Sequence, residues 1–343
     1  MRVGLVTTWD TECGIATYSA DLVQAAKGTI DYRVIAQYDK AHKVGPSDRP
    51  NVTYAWNRQN AGKQLKEVQE AIGADLKIVH FQHEFGLWPY TAGFYALCKS
   101  LQNRNIKVVI TLHTPNLNDW VFDCSIFDAV VVHSRKAATI ISNSDYIPHG
   151  IHAKPKAPTQ KLTKNNEQMV LIPGFQGPGK GAEEIVSAIK NAKLPQNVKF
   201  QFVGKMPYDL LAKLSKQIEL LGINASILPS FVSDDLLAAY FSEACLVLLG
   251  GPSPNDTPMS ASGQLAKAIS YWCPVFCKDV EIYREHDGAA ILYKDAGQLA
   301  QMLTGFFARS RDQMLTSEAV ASSRSWENVA FEHLDLYQTV CER

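Results

Sequence analysis

The chain has 343 residues, about twice the usual length of one domain, with 46% apolar and 20% charged residues, which points to a globular protein with two cores and excludes a disordered or fibrous one. Lys and Arg number 34, as do Asp and Glu, so a general electrostatic grip on nucleic acid or an anionic membrane is excluded, though a local basic patch is not. The seven cysteines are odd in number, scattered and without a CxxC pair, which argues against a disulfide framework and against a zinc site.

The opening MRVGLVTTWD reaches Asp10 after an apolar run too short for a signal-peptide core, so it reads as a first strand. No apolar stretch approaches the roughly 20 residues needed to span a bilayer, and the expectation is a cytoplasmic protein. Strands are predicted over 2–7, 32–38, 77–81, 107–113, 129–133 and 145–148, with helices over 16–26, 62–72 and 90–102 between them. Six strands with crossovers make a complete parallel sheet. After Ile151, HAKPKAPTQKLTKNNEQ has two prolines and no apolar period and reads as a linker.

The alternation then restarts. Strands are predicted over 169–172, 198–203, 225–228, 245–250, 274–277 and 289–293, with helices over 182–192, 208–221, 234–243, from Gly263 onward and over 297–307. Ser233 is a predicted N-cap, followed by Asp234 and Asp235 where acids offset the helix dipole. The expected fold class is α/β with two Rossmann-like domains, and ligands belong at the carboxyl ends of parallel strands.

Residues 174–181, GFQGPGKG, have the Walker A spacing but end in Gly181 where that motif needs a Ser or Thr to hold Mg²⁺. The stretch is thus a damaged P-loop, a different phosphate loop with Lys180 as a point charge, or an ordinary turn. Gly14, in TTWDTECGIATYSADL, opens a helix after the first strand without the GxGxxG of a dinucleotide site. It is either a turn that admits a phosphate or sugar, or plain punctuation. HFQHEFGLWP places His80, His83 and Glu84 at or just beyond a strand end with Trp88 nearby, for substrate contacts, structural hydrogen bonds or, least readily, a metal. His113 in TLHTP ends the next strand and can donate to a sugar hydroxyl or a phosphate oxygen, or be a satisfied core histidine. Ser262 and Gly263, in SASGQLAKAISYWCPVF, start a helix whose N-terminus suits a phosphate, or form a simple N-cap.

Taken in order, CGIATYSADL, QHEFGLW, VVITLHTP, VVVHS, IPHGI, GFQGPGKG, SASGQLAKAISYWCPV and SWENVAFEHLDLY make the chain similar, over nearly its full length, to the retaining GT-B glycosyltransferases of family 4. The resemblance implies two Rossmann-like domains facing each other across a cleft. Residues 1–153, with a crossing helix over 326–343, would form the acceptor side, 154–167 a linker, and 168–325 the nucleotide-sugar side. By resemblance, His113 and Lys180 are catalytic. Gly14, Gly181, Ser262 and Gly263 bind the donor, while His83, Glu84 and Trp88 face the acceptor.

Two family positions depart from the pattern. The arginine five residues before the lysine is Phe175, and the paired glutamates fall on Met259 and Lys267, so Glu281 or Glu285 is the candidate substitute at the donor ribose; we take Glu285. The activity implied is metal-independent, retaining transfer of a hexose-type sugar from a nucleotide-diphosphate sugar to an acceptor hydroxyl. No cofactor is implied beyond that co-substrate. The acceptor is open among glycan, lipid-linked intermediate, small molecule and modified nucleic acid, with peripheral membrane contact compatible. Two other functions stay open: a non-catalytic nucleotide- or glycan-binding relative, and a P-loop NTPase.

Overall fold

In the computed structural model the described residues are 1–38, 45–46, 51–57, 65–73, 75–84, 86–87, 92–115, 123–153, 157, 162, 166–177, 179–251, 259–285, 288–308 and 317–343. The chain divides into two compact units: Met1–Gly150 with Pro258–Ala261 and Trp326–Arg343, and Ile151–Thr257 with Ser262–Ser325.

In unit 1 the strands are β1 (Arg2–Thr7), β2 (Asp31–Gln37), β3 (Gly45–Pro46), β4 (Val52–Trp56), β5 (Ile78–His83), β6 (Lys107–Leu112), β7 (Ala129–Val132) and β8 (Ser144–Tyr146). The helices are α1 (Gly14–Ala25), α2 (Leu65–Ala71), α3 (Ala92–Asn103) and α4 (Arg135–Ile140), plus α12 (Trp326–Glu342). The sheet order is β3-β4-β2-β1-β5-β6-β7-β8, parallel except for the short β3–β4 pair. Eight strands rather than the expected six result, because VTYAW pairs alongside β2 and carries β3 at the edge. Strand β5 also runs on to His83, opposite Leu112 of β6, which puts His80 inside the sheet rather than at its end. The six-residue helix α4 is too short to show a period and rests on its Ser134 cap, whose hydroxyl accepts from Ala137 N–H at 3.3 Å.

Strand alternation sorts the sheet's two faces. Val79, Phe81, Val108, Ile110, Val130 and Val132 pack with Leu97 and Leu101 of α3 in one core. On the other face Val3, Leu5, Ile78, Val109 and Val131 pack with Tyr18 and Leu22 of α1 and with Trp326, Val329 and Tyr337 of α12. Gly150 is required where it lies: a Cβ there would come within 2.2 Å of the Trp326 ring.

Unit 2 holds β9 (Gln168–Pro173), β10 (Val198–Val203), β11 (Ala225–Leu228), β12 (Ala244–Leu249), β13 (Val275–Lys278) and β14 (Ile291–Tyr293). Its helices are α5 (Ala182–Asn191), α6 (Tyr208–Leu220), α7 (Asp234–Glu243), α8 (Gly263–Ser270), α9 (Glu281–Arg284), α10 (Ala296–Ala308) and α11 (Ser317–Ser323). The order β11-β10-β9-β12-β13-β14 is parallel throughout, with its switch point between β9 and β12. Ser233 caps α7 as expected, accepting from Leu236 N–H at 3.3 Å. The strand expected over 289–293 begins only at Ile291, because Gly288 (φ 77°) turns the chain just before it.

Most of the linker expected over 154–167 lies outside the described residues. Among the described residues no helix is long and apolar enough to cross a membrane.

Candidate functional site

The carboxyl edge of unit 2 is built of backbone. Strands β10, β9 and β12 are adjacent, and each is followed at once by glycine: Gly204, Gly174 and Gly250. A Cβ on Gly204 would lie 2.0 Å from the Gly174 carbonyl oxygen, and one on Gly250 would lie 2.4 Å from the Lys180 carbonyl oxygen. At Gly181 a Cβ would meet Gly250 Cα at 2.8 Å and Gly251 N at 2.9 Å. Gly174, Gly179, Gly181 and Gly204 also take φ of 104°, 74°, 81° and 138°, conformations open to glycine and costly for other residues. The Gly174–Gly181 loop is tied to the β10 end by Gly174 N–H to Val203 O and Gln176 N–H to Lys205 O, each 2.9 Å.

This packing explains the missing P-loop hydroxyl. Position 181 has neither the space nor the φ for Ser or Thr. Gly181 is the N-cap of α5 and gives no side-chain cap, so the first amides of the helix keep their positive end unsatisfied by a side chain at that position. The acids of that first turn are matched by lysines, Glu183 with Lys213 and Glu184 with Lys278, the latter at 2.5 Å. Lys180 is exposed and has no acceptor among the described residues. The local excess is therefore positive.

Ser262 is buried, and its Oγ accepts from Leu265 N–H at 3.2 Å, capping α8 while its own proton stays available to a ligand. Gly263 is the first residue of α8, and the Gln264 side chain beside it abuts Gly174: a Cβ on Gly174 would lie 3.0 Å from Gln264 Cγ. The edge thus gathers Lys180, Gly181, Ser262 and Gly263 in one unit. Glu285 follows α9 and is 7% exposed, too enclosed in this conformation to present its carboxylate freely to solvent. Lys267, where the family pattern has a glutamate, is half-buried and places its Nζ 3.3 Å from the exposed Asp234 Oδ1 at the start of α7.

In unit 1 the carboxyl edge carries Gly14, His83, Glu84 and His113. Gly14 is the exposed first residue of α1, and a Cβ there would meet nothing within 4 Å, so packing does not demand glycine at this position. His83 faces the α3 side and is 1% exposed, its ring 6.3 Å from that of Phe94. Glu84 folds the chain back on itself, accepting Gly86 N–H at 3.0 Å through Oε2 and Leu87 N–H at 2.8 Å through its carbonyl. Trp88 lies outside the described residues.

His113 stands on the opposite face, just beyond β6, and its Nε2 is 2.8 Å from Gln82 Oε1. Tyr18 meets it edge-on at 4.9 Å and His133 lies 5.1 Å away. Behind it runs a buried polar row. Gln82 Nε2 is 3.4 Å from His80 Nε2, which is also 2.7 Å from Thr111 Oγ1; His80 Nδ1 is 2.5 Å from Tyr337 OH, itself 3.1 Å from Tyr32 OH. Burial holds His80 and His113 well below the ordinary imidazole range, with neighbouring imidazoles lowering them further. Burial likewise brings His133 to about 3 and His333 to about 4, against the opposing effect of a hydrogen bond that each ring donates to a backbone carbonyl, Ile147 and Val329 respectively. All four rings are neutral at pH 7.

Two parts of this arrangement escape the sequence reading: the glycines at 204, 250 and 251, and Gln82. The first had a signal, since FVGK and LLGG each place glycine directly after an apolar strand. Gln82 had one too, as a polar residue two positions from His80 on the same face of a strand.

No family model matches the sequence, and no curated protein matches it. Solved structures do. HepE of Anabaena in complex with UDP and glucose is 15% identical, with 99% of this chain and 100% of that chain covered and a TM-score of 0.73. A glycosyltransferase from Rickettsia africae ESF-5 is 14% identical over 99% and 98% of the two chains, with a TM-score of 0.75. An E. coli protein described as trehalose-6-phosphate bound with UDP-2-fluoro glucose is 10% identical over 100% and 99%, with a TM-score of 0.71. At these identities the likeness is one of fold: along its whole length, this chain has the fold of the GT-B glycosyltransferases.

Proposed function

We propose that the protein is a retaining, metal-independent glycosyltransferase of the family 4 type, moving a hexose-type sugar from a nucleotide-diphosphate sugar to an acceptor hydroxyl. The observation that carries the reading is the glycine-only edge of β10, β9 and β12 beside the start of α5, where Lys180, exposed and without an acceptor among the described residues, immediately precedes a helix start that has no side-chain cap at Gly181. The UDP and UDP-glucose held by HepE give the donor class its support.

In this mechanism the sugar–phosphate bond breaks with oxocarbenium character, and negative charge grows on the departing diphosphate. Lys180, the amides near Gly181 and Gly263, and the Ser262 hydroxyl are fixed donors for that charge. Position 181 cannot carry the hydroxyl that a Mg²⁺-triphosphate loop uses, and a lysine with helix amides does the neutralising instead. Glu285 is assigned to the donor ribose and Gly14 to the close approach of the donor. His83, Glu84 and Trp88 are assigned to the acceptor, and His113 to the reacting sugar. The reaction belongs in the cytoplasm, where nucleotide sugars are available to it.

A thermal-shift screen against nucleotide sugars, with and without EDTA, tests the proposal. The expected outcome is stabilisation by at least one UDP- or other nucleotide-diphosphate sugar that EDTA leaves unchanged. Mg²⁺-dependent ATP or GTP hydrolysis would support an NTPase instead. A second reading, a non-catalytic nucleotide- or glycan-binding relative, draws on Lys267, which is engaged by Asp234 where the family pattern has a carboxylate. Binding without any donor consumption would favour it.

A further inference from the structure

The hydrogen-bond row behind His113 has a direction, and the direction selects a ligand. Gln82 contributes an amide nitrogen that only donates and an oxygen that only accepts. Its Nε2 faces His80 Nε2 at 3.4 Å and its Oε1 faces His113 Nε2 at 2.8 Å, the longer N···N and shorter N···O spacing suiting that orientation. His80 Nε2 is then a lone pair, accepting from both the Gln82 amide and the Thr111 hydroxyl at 2.7 Å. The one proton of this neutral ring sits on Nδ1 and is donated to Tyr337 OH at 2.5 Å, whose own proton goes to Tyr32 OH at 3.1 Å. In this arrangement no two protons face each other, and the His80 Nε2 lone pair is shared between a near donor, Thr111, and a more distant one, Gln82.

At the other end, His113 Nε2–H donates to Gln82 Oε1. A neutral ring has one N–H, so His113 Nδ1 is an unprotonated acceptor, and it has no partner among the described residues. We infer that Gln82 is a positioning residue that fixes His113 as the Nε2–H tautomer, so that His113 receives a hydroxyl through Nδ1 rather than donating to a phosphate or carboxylate oxygen. This rests on the glycosyltransferase reading for the identity of the hydroxyl, on the donor sugar or on the acceptor, but not for the polarity of the row. The groups that act on His113 leave that polarity undisturbed: Tyr18 from α1 and His133 after β7 lie against it, while His80 of β5, His83 of β5 from the other face and His149 after β8 act through space, none of them a carboxylate or a fixed cation.

The test is ¹⁵N spectroscopy of the full chain with labelled histidine at pH 7, read with donor consumption on UDP-glucose. The expected spectrum has His113 protonated on Nε2 alone. In Gln82→Leu the two tautomers mix and consumption falls by about 10–100-fold, the usual order for removing an orienting partner. In Gln82→Glu the carboxylate still accepts from Nε2–H, so activity recovers toward wild type while the acid limb of the pH profile moves to higher pH, because a carboxylate raises the imidazole pKa. A His113 protonated on Nδ1 in the wild type overturns the inference, as do equal losses in the two variants with an unmoved pH profile. A shift of the Nδ1 resonance with UDP-glucose but not UDP assigns the hydroxyl to the donor sugar; donor consumption with Nδ1 unmoved assigns it to the acceptor. Nε2–H at His113 in a protein that consumes no nucleotide sugar would leave the polarity standing and remove the glycosyltransferase reading instead.

Discussion

The two units use the carboxyl edges of similar parallel sheets in opposite ways. In unit 2 the edge is made of backbone, with glycines packed against other backbone so closely that side chains are excluded at Gly181, Gly204 and Gly250, while Gly174 is held to glycine by its φ of 104°. In unit 1 the edge and the sheet face behind it carry side chains: His80, Gln82, Thr111, His113 and His133 stand where an all-apolar sheet would have Val or Ile. Backbone donors suit a ligand whose charge is large and whose shape is constant, such as a diphosphate. Aligned side chains suit a ligand distinguished by which of its groups donates. On the proposed function, charge stabilisation falls to unit 2 and hydroxyl recognition to unit 1, so substitutions in the two units should fail differently.

The largest effect is expected at Lys180. Lys180→Ala should lower donor turnover by about 10²–10³-fold with an unchanged melting temperature, since the side chain is exposed and makes no contact that folding needs. Full turnover in a folded variant removes Lys180 from the site. Next comes the glycine edge. Gly204→Ala places a Cβ 2.0 Å from the Gly174 carbonyl at φ 138° and should cost about 2–4 kcal/mol, combining overpacking with backbone strain, measurable by urea unfolding of the full chain. Gly14→Ala meets nothing within 4 Å and should keep stability, so any loss of activity there reports on ligand space alone.

Acid should distinguish the units through the buried histidines. His133 and His333 have folded pKa values of about 3 and about 4, below the ordinary value of about 6.5. Below pH ~6.5 the unfolded chain binds protons that the native one refuses, so stability present at neutral pH is lost as pH falls toward those folded values. Each group contributes a slope of about 1.4 kcal/mol per pH unit over that window. The unit 1 transition should therefore fall in temperature between pH 6.5 and 4 more steeply than that of unit 2, and His133→Phe should flatten the slope by about one proton. Identical acid slopes for the two transitions would contradict this. The smallest effect belongs to Ser262→Ala, which should cost about 1 kcal/mol through the lost α8 cap, seen in the unfolding midpoint.

Much of this was legible from local pattern. Strand 198–203 and helix 234–243 have the bounds that alternation and capping predict, because each is a short regular segment with its own start and stop signals. Strand β4 was not legible, since VTYAW becomes a strand by lying beside β2. His80 was placed too near the edge for the same reason: a strand ends where its neighbour stops pairing, and Leu112 holds β5 to His83. The partner of Lys267 was not legible either, since Asp234 reaches it only through the packing of α7 against α8.

By itself, the sequence determined the two α/β halves, the glycine-rich loop with its lysine, and the histidines at strand ends, because hydrophobic period, glycine and charge are properties of short segments. Tertiary structure alone decided why position 181 is glycine and which nitrogen of His113 carries the proton. The first depends on the backbone of Gly250, about seventy residues away, packing against the loop. The second depends on a row that reaches Tyr337 near the far end of the chain. Both are matters of distance between atoms that the order of residues does not state.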